Sequence, residues 1–448
     1  MPRRFRTTRR SFLKQAVATA AAFTAPGFVR NLISAPPSGR VRHASFGANG
    51  MAGADMLTFT NHPNLDLVCA AEVDTARLDL LKQRLLDSKV RVYQDWREML
   101  DKEGKHLDSA NIGTPDHMHA PMAMSAMQLG LHVYVQKPMC HDLYETRRLT
   151  EFAREKKLIT QMGIQIHSTA YYRIGVEVIQ SGAIGKVKEV HLWSDRTWGD
   201  PNPVPDRSDP VPATLNWDHW LGVRAPRPYL ADYYHPGNWR KRVEFGTGSL
   251  GDMGCHIFDP VFEALALGSP NTVRSEGPAA TAQNWALHEI IHYEFPATKY
   301  TAGPTVKLTW YDGDARPPQE VLSLLGDFPR PGNGSIFVGT EGTMVLPHIA
   351  VPVLLPKAQF AGYKLPKNNG TSHNDQFINA VLGKATTSAS FDYSGPLTET
   401  VLLGTVSTFF PKTTLEWDGP GLKFKNSPEA DRYIRQTYRQ GWEIQGLS

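Results

Sequence analysis

The sequence predicts an α/β protein with two domains: a doubly wound parallel sheet at residues 41–167 and an α/β domain with an open, mostly antiparallel sheet at residues 168–448. In the first part, short apolar segments alternate with helix-like segments, which is typical of parallel strands joined by helices. In the second part, strand-like segments are separated by long loops rich in proline and glycine. A chain of 448 residues is long enough to form both cores.

The strands predicted in the first domain have the sequences VRHASF, LDLVCAA, VRVY, LDSANI, HVYV and LITQMGIQI. The helix-like segments among them are TARLDLLKQRLLDS, DWREMLDK and HAPMAMSAMQLG. Parallel strands need crossover connections of this kind, so the alternation favours a parallel sheet over a set of hairpins.

The second domain begins with the predicted strands KEVHLWSDR, EIIHYEF, TVKLTWYDG and SIFVGTEGTMVL. Residues 199–217 contain five prolines, so we expect a long irregular loop there. Loops of this length in a compact domain are usually functional or interfacial. The chain ends with the predicted helices NDQFINAVLG, LTETVLLGTVSTFF and PEADRYIRQTYRQGW.

The charge is unevenly distributed. Residues 1–40 contain eight basic residues and no acidic ones, whereas the remainder has 40 basic and 44 acidic residues. This mildly acidic remainder gives no electrostatic reason to expect nucleic-acid binding. Three cysteines indicate no disulfide framework.

The basic start has the pattern of a twin-arginine export signal: Arg9 and Arg10 precede Phe12-Leu13 and the apolar run AVATAAAF. The apolar run is too short and too rich in alanine to span a bilayer well. We therefore expect the twin-arginine translocase as a partner during export, a periplasmic or secreted location, and no stable membrane insertion. Residues 1–40 are interpreted as signal and linker.

A glycine-rich turn follows the first predicted strand. Gly47, Asn49, Gly50 and Met51 begin the sequence GANGMAG, which is placed to let the backbone approach a pyrophosphate at a helix N-terminus. The spacing is imperfect, because Asn49 stands where the second glycine is usual. Asparagine tolerates a left-handed conformation, which makes the exchange acceptable. Alone, this motif is a weak signal.

Acidic residues follow the second predicted strand. Glu72 lies 25 residues after Gly47, where a carboxylate can bind the adenosine ribose hydroxyls. Glu72 and the nearby Asp74 would repel a 2′-phosphate, so the sequence favours NAD as the cofactor over NADP. The simpler alternative is that Glu72 only ends a strand.

The fourth predicted strand ends in IGTPDHMHA, at the sheet edge where ligands of doubly wound folds bind. The residues of this turn that we assign to the cofactor site are Thr114, Pro115, His117 and His119. The two histidines also have the chemistry of metal ligands, but such a pair is more often hydrogen-bonded near a helix start, and we predict no metal site.

Together, the segments GANGMAG, YQDWREML, GTPDHMHAPMAMSAMQLGLHVYVQKPM, SGAIGKV and GTGSLGDMGCHIFDP resemble the Gfo/Idh/MocA family of oxidoreductases. The tail segments GPLTETVLLGTVS, EWDG and YRQGWEI resemble its secreted branches. The resemblance covers nearly all of residues 41–448. It implies an N-terminal Rossmann domain that binds NAD, a C-terminal domain whose sheet supports a substrate pocket, and a homo-oligomer, either a dimer or a tetramer.

The family usually has Glu-Lys-Pro where this chain has Gln136-Lys137-Pro138. The resemblance implies that Lys137 is a catalytic or substrate-orienting residue beside the nicotinamide, and that the Lys-Pro bond is often cis. We assign Gln136 and Lys137 to the cofactor site as well. A neutral Gln136 leaves Lys137 without an adjacent anion. Because a nearby anion stabilises the ammonium form of a lysine and raises its pKa, the absence of that anion favours Lys137 as a proton acceptor.

The segment GSLGDMGCHIFDPVFEALALG predicts a helix with Asp252 and His256 four residues apart on one face. Asp259, three residues further on, is placed to orient His256. Oxidation of a carbinol needs a group that takes the hydroxyl proton. The resemblance matches Lys137, Asp252 and His256 to active-site residues of the family, and we take these three as catalytic.

Further residues have the chemistry of a sugar site, because a tryptophan offers an apolar face to a sugar ring and polar side chains bind hydroxyls. The predicted substrate-binding residues are His167, Tyr172, Arg173, Trp239, Arg240, Asp252 and His256, and Gln165 is assigned to the cofactor. The segment HEIIH at 288–292 matches a zinc-protease pattern, but its continuation YEFPA predicts a strand.

Three functions remain open at this point. The first is an NAD-dependent oxidoreductase that acts on a sugar, sugar derivative or glycoside, with a cofactor loaded before export and held tightly. The second is an NAD-dependent glycoside hydrolase that uses transient oxidation, elimination and re-reduction, as some relatives in the family do. The third is a non-catalytic protein that binds a sugar or nucleotide.

Overall fold

The computed structural model describes residue 36 and residues 39–78, 83 and 89–448. The predicted fold class is confirmed: a parallel six-stranded sheet precedes a mixed, mostly antiparallel nine-stranded sheet. The twin-arginine segment and most of the predicted helix TARLDLLKQRLLDS lie outside the described residues.

The strands of the first sheet are β1 (Val41–Phe46), β2 (Leu65–Ala71), β3 (Arg91–Tyr93), β4 (Ser109–Ile112), β5 (His132–Gln136) and β6 (Thr160–Gly163). Their spatial order is β3-β2-β1-β4-β5-β6, and each neighbouring pair is parallel. The order reverses between β1 and β4. The crevice at the carboxyl ends of these two strands is where doubly wound sheets bind ligands.

The helices of this part of the chain are α1 (Gly50–Thr60), α2 (Trp96–Glu103), α3 (His119–Gln128), α4 (Leu143–Lys156) and α5 (Ala170–Gln180). A short 3₁₀ helix, Gln165–Ser168, lies between β6 and α5. The predicted strand LITQMGIQI therefore ends at Gly163. The predicted boundary at residue 167 falls within this connection and stays a prediction.

The strands of the second sheet are β7 (Val187–Ser194), β8 (Thr272–Ser275), β9 (Ile290–Pro296), β10 (Thr305–Asp312), β11 (Asn333–Gly339), β12 (Thr343–Pro347), β13 (Val353–Leu355), β14 (Leu415–Asp418) and β15 (Lys423–Phe424). Their spatial order is β13-β12-β11-β7-β10-β9-β8-β14-β15, and only β7 and β10 pair in parallel among the described strands of this sheet. The segment SIFVGTEGTMVL forms the hairpin of β11 and β12.

The helices of the second part are α6 (Trp217–Leu221), α7 (Gly248–Ala264), α8 (Gln319–Leu322), α9 (His373–Val381) and α10 (Phe391–Ser407). Short 3₁₀ helices occur at Asn238–Lys241, Ser323–Leu325 and Pro428–Tyr433. The loop predicted at 199–217 is irregular up to α6. The last predicted helix, PEADRYIRQTYRQGW, is wrong beyond Tyr433, where the chain continues without regular structure.

The C-terminal helices return to the first sheet. Phe377 of α9 packs against Phe59 of α1 and Tyr134 of β5. Glu399 of α10 forms an ion pair with Arg147 of α4 at 2.7 Å. One buried apolar cluster contains residues of both sheets. Because of this shared packing, the carboxyl edge of the parallel sheet faces side chains supplied by the second part of the chain.

Among the described residues, no helix combines the length and the apolar character that crossing a bilayer requires. Cys69, Cys140 and Cys255 are buried and free.

Candidate functional site

The glycine turn connects β1 to α1. Gly47 has φ +94°, and a Cβ there would lie 2.9 Å from the Cβ of Ala52, so only glycine fits. Gly50 has φ +55° with open space where a side chain would be, and the N-terminus of α1 begins there. Exposed N–H groups and an open approach fit a pyrophosphate.

Asn49 has a different conformation from the one expected. Its φ of −137° and ψ of 178° are extended, and its side chain accepts a hydrogen bond from the Gly50 N–H at 2.7 Å. The left-handed residue is Gly50 instead. Asparagine is acceptable at position 49 because it caps the helix, and the earlier explanation from left-handed geometry is wrong.

Glu72 lies at the carboxyl end of β2. Its carboxylate accepts hydrogen bonds from the Ala48 N–H at 3.0 Å and the Asp74 N–H at 3.2 Å. Burial raises the pKa of Glu72, and the two backbone donors offset part of that effect. The backbone therefore holds this carboxylate beside the glycine turn, with free lone pairs for hydroxyl donors.

Arg77 and His235 reach the same end of the cavity through Asp74. Arg77 Nε donates to Asp74 Oδ2 at 3.2 Å, and His235 Nε2 lies 3.3 Å from the same oxygen. His235 belongs to the second part of the chain, so that part closes over the region of Glu72.

His119 joins the ends of two strands. Its ring nitrogens lie 2.8 Å from the carbonyl oxygens of Thr114 and Pro138. Thr114 follows β4 and Pro138 follows β5, so this imidazole holds the two turns together. His117 lies elsewhere: it is buried against Trp220 and does not line the cavity.

Gln136, the last residue of β5, is 3% exposed and faces a buried carboxylate. Its Nε2 donates to Asp55 Oδ2 at 2.7 Å. Gln165, predicted to contact the cofactor, instead donates to Asp55 Oδ1 at 3.2 Å and does not line the cavity. Burial raises the pKa of Asp55 to about 6, against the effect of its amide donors.

Lys137 lies against Asp252, and the Lys137–Pro138 bond is cis. The ammonium donates to the Oδ1 and to the main-chain oxygen of Asp252, each at 2.9 Å. The expectation that Gln136 leaves Lys137 without an adjacent anion is therefore wrong. The anion comes from α7, 115 residues further along the chain.

Asp252 gathers two further donors. Arg240 Nε donates to Oδ1 at 3.2 Å, and the indole N–H of Trp198 donates to Oδ2 at 2.8 Å. Burial on its own would raise the pKa of Asp252, but the charges of Lys137 and Arg240 hold it well below its usual range. This carboxylate is therefore ionised at neutral pH.

Trp239 and Arg240, which the sequence predicts to bind the substrate, line the cavity. The guanidinium carbon of Arg240 lies 4.3 Å from the centre of the Trp239 ring and 5.4 Å from that of Trp198. The Trp239 indole donates to the Pro236 carbonyl at 3.2 Å. Two aromatic faces thus flank the cation that pairs with Asp252.

His256 lies one turn after Asp252 on α7. Its buried Nδ1 has no hydrogen-bond partner among the described residues, and its ring centre is 5.4 Å from that of His348. Burial, then the charge of Lys137, lowers the pKa of His256 well below its usual value. The imidazole is neutral at pH 7.

The remaining predicted substrate residues form a second buried cluster along α7 and α5. His167 Nδ1 lies 2.9 Å from Asp259 Oδ1, so Asp259 orients His167 and the prediction that it orients His256 is wrong. The Tyr393 hydroxyl donates to Asp259 at 2.7 Å. Tyr172 bonds His348 Nδ1 at 2.8 Å, and Arg173 pairs with Glu263.

A cavity of about 270 Å³ connects the glycine turn to the Lys137–Asp252 pair. Neither His256 nor the second cluster lines it. The predicted residues that line the cavity are Gly47, Asn49, Gly50, Met51, Glu72, Thr114, Pro115, His119, Gln136, Lys137, Trp239, Arg240 and Asp252.

Sequence reasoning missed several residues of this site. Asp116 lines the cavity, accepts a hydrogen bond from the Thr247 hydroxyl at 2.7 Å, and burial raises its pKa to about 7. It follows Thr114-Pro115 directly, which was a usable signal. Trp198, Asp55 and His348 gave no local signal, because their contacts are with residues far away in the sequence.

The described residues contain no cluster of histidine, cysteine and carboxylate side chains that could hold a metal ion. The segment HEIIH enters β9, as the sequence predicted. The cavity does offer the N–H donors of an open helix N-terminus and a carboxylate acceptor beside them, and these groups fit a dinucleotide.

Family models match both parts of the chain. The model of the oxidoreductase family with an NAD-binding Rossmann fold matches residues 41–164, and that of the family's C-terminal α/β domain matches residues 190–314. The cofactor of this site is accordingly NAD.

The chain is similar to levoglucosan dehydrogenase of Pseudarthrobacter phenanthrenivorans, with 24% identity over 37% of this chain and 34% of the relative. It is similar to the NAD-dependent scyllo-inositol 2-dehydrogenase of Bacillus subtilis, with 28% identity over 28% of this chain and 36% of the relative. The matched stretches therefore span about a third of the length of these relatives.

A solved structure shows the same fold over most of the chain. It is the WlbA dehydrogenase of Chromobacterium violaceum, in complex with NADH and UDP-GlcNAcA; the TM-score is 0.61, with 14% identity over 87% of this chain and 99% of that one. With both family models matched in order along a chain of this architecture, the protein belongs to the Gfo/Idh/MocA family of oxidoreductases.

Proposed function

We propose that this protein is an NAD-dependent oxidoreductase that acts at a carbinol carbon of a sugar, sugar derivative or glycoside. The observation that carries the proposal is the placement of the Lys137–Asp252 pair in the cavity that also contains the glycine turn and Glu72. Bound NAD supplies hydride acceptance, or hydride donation in the reverse direction.

The charges of the site suit a carbinol oxygen. Lys137 and Arg240 surround one carboxylate, that of Asp252, so the group carries a net positive charge. Fixed positive charge stabilises an oxygen that becomes negative as its carbon is oxidised. Asp252 is ionised and has no proton to give, so its part is to hold the two cations in place.

We propose His256 as the base. It lies one turn after Asp252 on α7, outside the lining of the cavity, so the substrate has to extend past the Lys137–Asp252 pair to reach it. Because burial keeps its imidazole neutral, it can accept a hydroxyl proton at pH 7. Its buried Nδ1 has no hydrogen-bond partner among the described residues, so uptake of a proton by the imidazole breaks no bond at that nitrogen. We assign Lys137 to hold the reacting oxygen, His256 to take the proton, and the Trp239 face to pack against the ring of the substrate.

The substrate class rests on the relatives. Their names specify levoglucosan and scyllo-inositol, and the structural neighbour was crystallised with a nucleotide sugar. All three ligands are rings that carry several secondary hydroxyls. We propose a cyclic carbohydrate or polyol as the substrate.

The test begins with the protein purified without added cofactor. It is denatured, and the released dinucleotide is identified by mass spectrometry; we expect NAD or NADH. The intact protein is then assayed with cyclic polyols, free sugars, nucleotide sugars and aryl glycosides, with Lys137→Met as the inactive control.

NADH formation, or a reduced co-product, from one of these substrates supports the oxidoreductase. Release of an aglycone without net NADH would instead identify the redox-cycling glycosidase. Binding of a sugar without turnover, unchanged in Lys137→Met, would indicate a non-catalytic binding protein and overturn the proposal.

We also propose that the twin-arginine translocase exports the protein, folded and loaded with NAD, to the periplasm or beyond. The pattern around Arg9 and Arg10 and the lack of a free NAD pool outside the cytoplasm support this. Cell fractionation with an Arg9→Lys/Arg10→Lys variant tests it, and unchanged export would overturn it.

Size-exclusion chromatography with light scattering tests the proposed dimer or tetramer.

A further inference from the structure

Asp55 is a carboxylate without a cationic partner in the described part of the chain. It lies on α1, five residues after the start of that helix at Gly50, and is 2% exposed. Its hydrogen-bond donors among the described residues are three neutral amides: Gln136 at 2.7 Å, Gln165 at 3.2 Å and Asn374 at 3.4 Å. A buried carboxylate surrounded by amides is costly to maintain, which suggests a role.

These donors come from three different elements. Gln136 ends β5, Gln165 follows β6, and Asn374 lies on α9. Tyr134, on β5, is the titratable group packed beside Asp55. Asp55 therefore ties α1 to the ends of two strands and to a helix of the second part of the chain.

The side chain of Gln136 has little freedom. A Cβ at Gly163 would lie 2.6 Å from Gln136 Nε2, so the glycine leaves only enough room for this amide. A carboxylate at position 136 in the same place would lie about as close to Asp55 as the amide does now. Two carboxylates at that distance cannot both be ionised.

We propose that Asp55 and Gln136 form a carboxylate–amide pair that positions Lys137, and that residue 136 is an amide in this chain because Asp55 carries the charge. Gln136 is the neighbour of Lys137 in the chain, so fixing its side chain fixes the turn that directs Lys137 towards Asp252. Asp55 and Gln136 are positioning residues, and the inference rests on the proposed function for its kinetic readout.

The test exchanges the two groups. Gln136→Glu places two carboxylates in contact, and we expect kcat to fall about 10-fold at pH 8 and less at pH 6, where the pair shares a proton, with little change in KM. Asp55→Asn removes the acceptor, and we expect a smaller loss. The double variant Asp55→Asn/Gln136→Glu restores one carboxylate and one amide, and we expect kcat within about threefold of the wild type.

Gln161→Glu is the matched control, because it also places a carboxylate where a buried amide of the same sheet now lies, but Gln161 donates to the main-chain oxygen of His373 at 2.7 Å and not to Asp55. We expect it to lower Tm while leaving kcat unchanged. A wild-type kcat for Gln136→Glu at both pH values, or a double variant as slow as the product of the single losses, would overturn the proposal.

Thermal unfolding separates this inference from the proposed function. If no substrate is found, Tm of the four variants between pH 5 and 8 still tests the pair. Gln136→Glu should lose stability as pH rises up to 8, whereas the double variant should show only a smaller loss that is complete near pH 6, like the one that Asp55 gives the wild type. If Gln136→Glu fails to fold, recovery of a folded protein in the double variant is the deciding result. Absence of recovery would show that the two residues act independently.

Discussion

The ammonium nitrogen of Lys137 lies 2.9 Å from Oδ1 of Asp252, and the two side chains are only 12% and 16% exposed. One comes from the end of a parallel strand and the other from a helix of the second part of the chain. The pair therefore exists only when the two parts are packed together. This pair thus joins Lys137, which lines the same cavity as the glycine turn, to α7, the helix that carries His256.

Asp252→Asn should lower kcat about 100-fold. The amide keeps the volume of the side chain but leaves Lys137 and Arg240 without a counter-charge, and the two cations then repel each other. Steady-state kinetics with the identified substrate measure the effect. Asp195→Asn, an exposed carboxylate paired with Arg330, is the control and should change kcat little. If Asp252→Asn and Asp195→Asn had the same kinetics, Asp252 would have no part in the reaction.

His256→Asn should lower kcat about 100-fold or more, because a positioned general base contributes roughly that factor. Since the pKa of His256 lies well below its usual value, this residue should add no change in activity as pH falls from 8 to 6.5. Any change in that range should come from Asp116, whose pKa is about 7, and should be equal in the wild type and in His256→Asn. The pH dependence of kcat in the oxidative direction measures this. His292→Asn, at a half-exposed histidine on β9, should have wild-type kinetics. A fall in wild-type activity centred near pH 6.5 and absent from His256→Asn would contradict the assignment of a neutral base.

The parallel sheet was predictable because each of its strands is an apolar segment between turn residues, and the alternation with helices leaves few other topologies. The spacing of Asp252 and His256 was likewise readable, since residues four apart share a helix face. The roles of Trp198, Asp55 and His348 could not be predicted from the sequence, because each of these residues contacts a partner more than 50 residues away along the chain. Asp259 was assigned to the wrong histidine because residue i+3 faces a neighbouring side of the helix, where His167 is packed.

Glu72→Gln should weaken NAD binding about 10-fold, or about 1.4 kcal/mol. Both carboxylate oxygens accept backbone N–H groups, so an amide would direct its NH₂ at one of these donors and lose the fixed orientation. Titration of cofactor-free protein with NADH, followed by fluorescence, gives Kd. Glu98→Gln, at an exposed residue paired with Lys102, is the control.

Loss of the Glu72 charge should also reduce discrimination against NADPH, because a 2′-phosphate would no longer meet a carboxylate. Arg77 lies in the same part of the cavity and can pair with that phosphate. The ratio of the two Kd values in Glu72→Gln and in the wild type tests this. An unchanged ratio, together with an unchanged Kd for NADH, would place the adenosine ribose elsewhere.

A pair of buried carboxylates gives the folded protein a pH dependence that is unrelated to catalysis. Glu289 and Asp312 are 5% and 2% exposed, and the Glu289 N–H donates to Asp312 at 2.9 Å. Burial, then the charge of Asp312, raises the pKa of Glu289 to about 8. The native state therefore keeps a proton that the unfolded state loses near its ordinary value, and stability should fall as pH rises from about 4.5 to about 8.

Glu289→Gln should remove most of this dependence and stabilise the protein at pH 8 by about 2 kcal/mol, while changing stability little at pH 4.5. The glutamine keeps an oxygen for the Ser275 hydroxyl, which now donates to Glu289 at 3.1 Å. Urea unfolding at several pH values measures the difference, with the exposed Glu416→Gln as the control. A gain in stability that is the same at pH 4.5 and pH 8 would show that Glu289 is ionised throughout, and that its burial is not what sets its protonation.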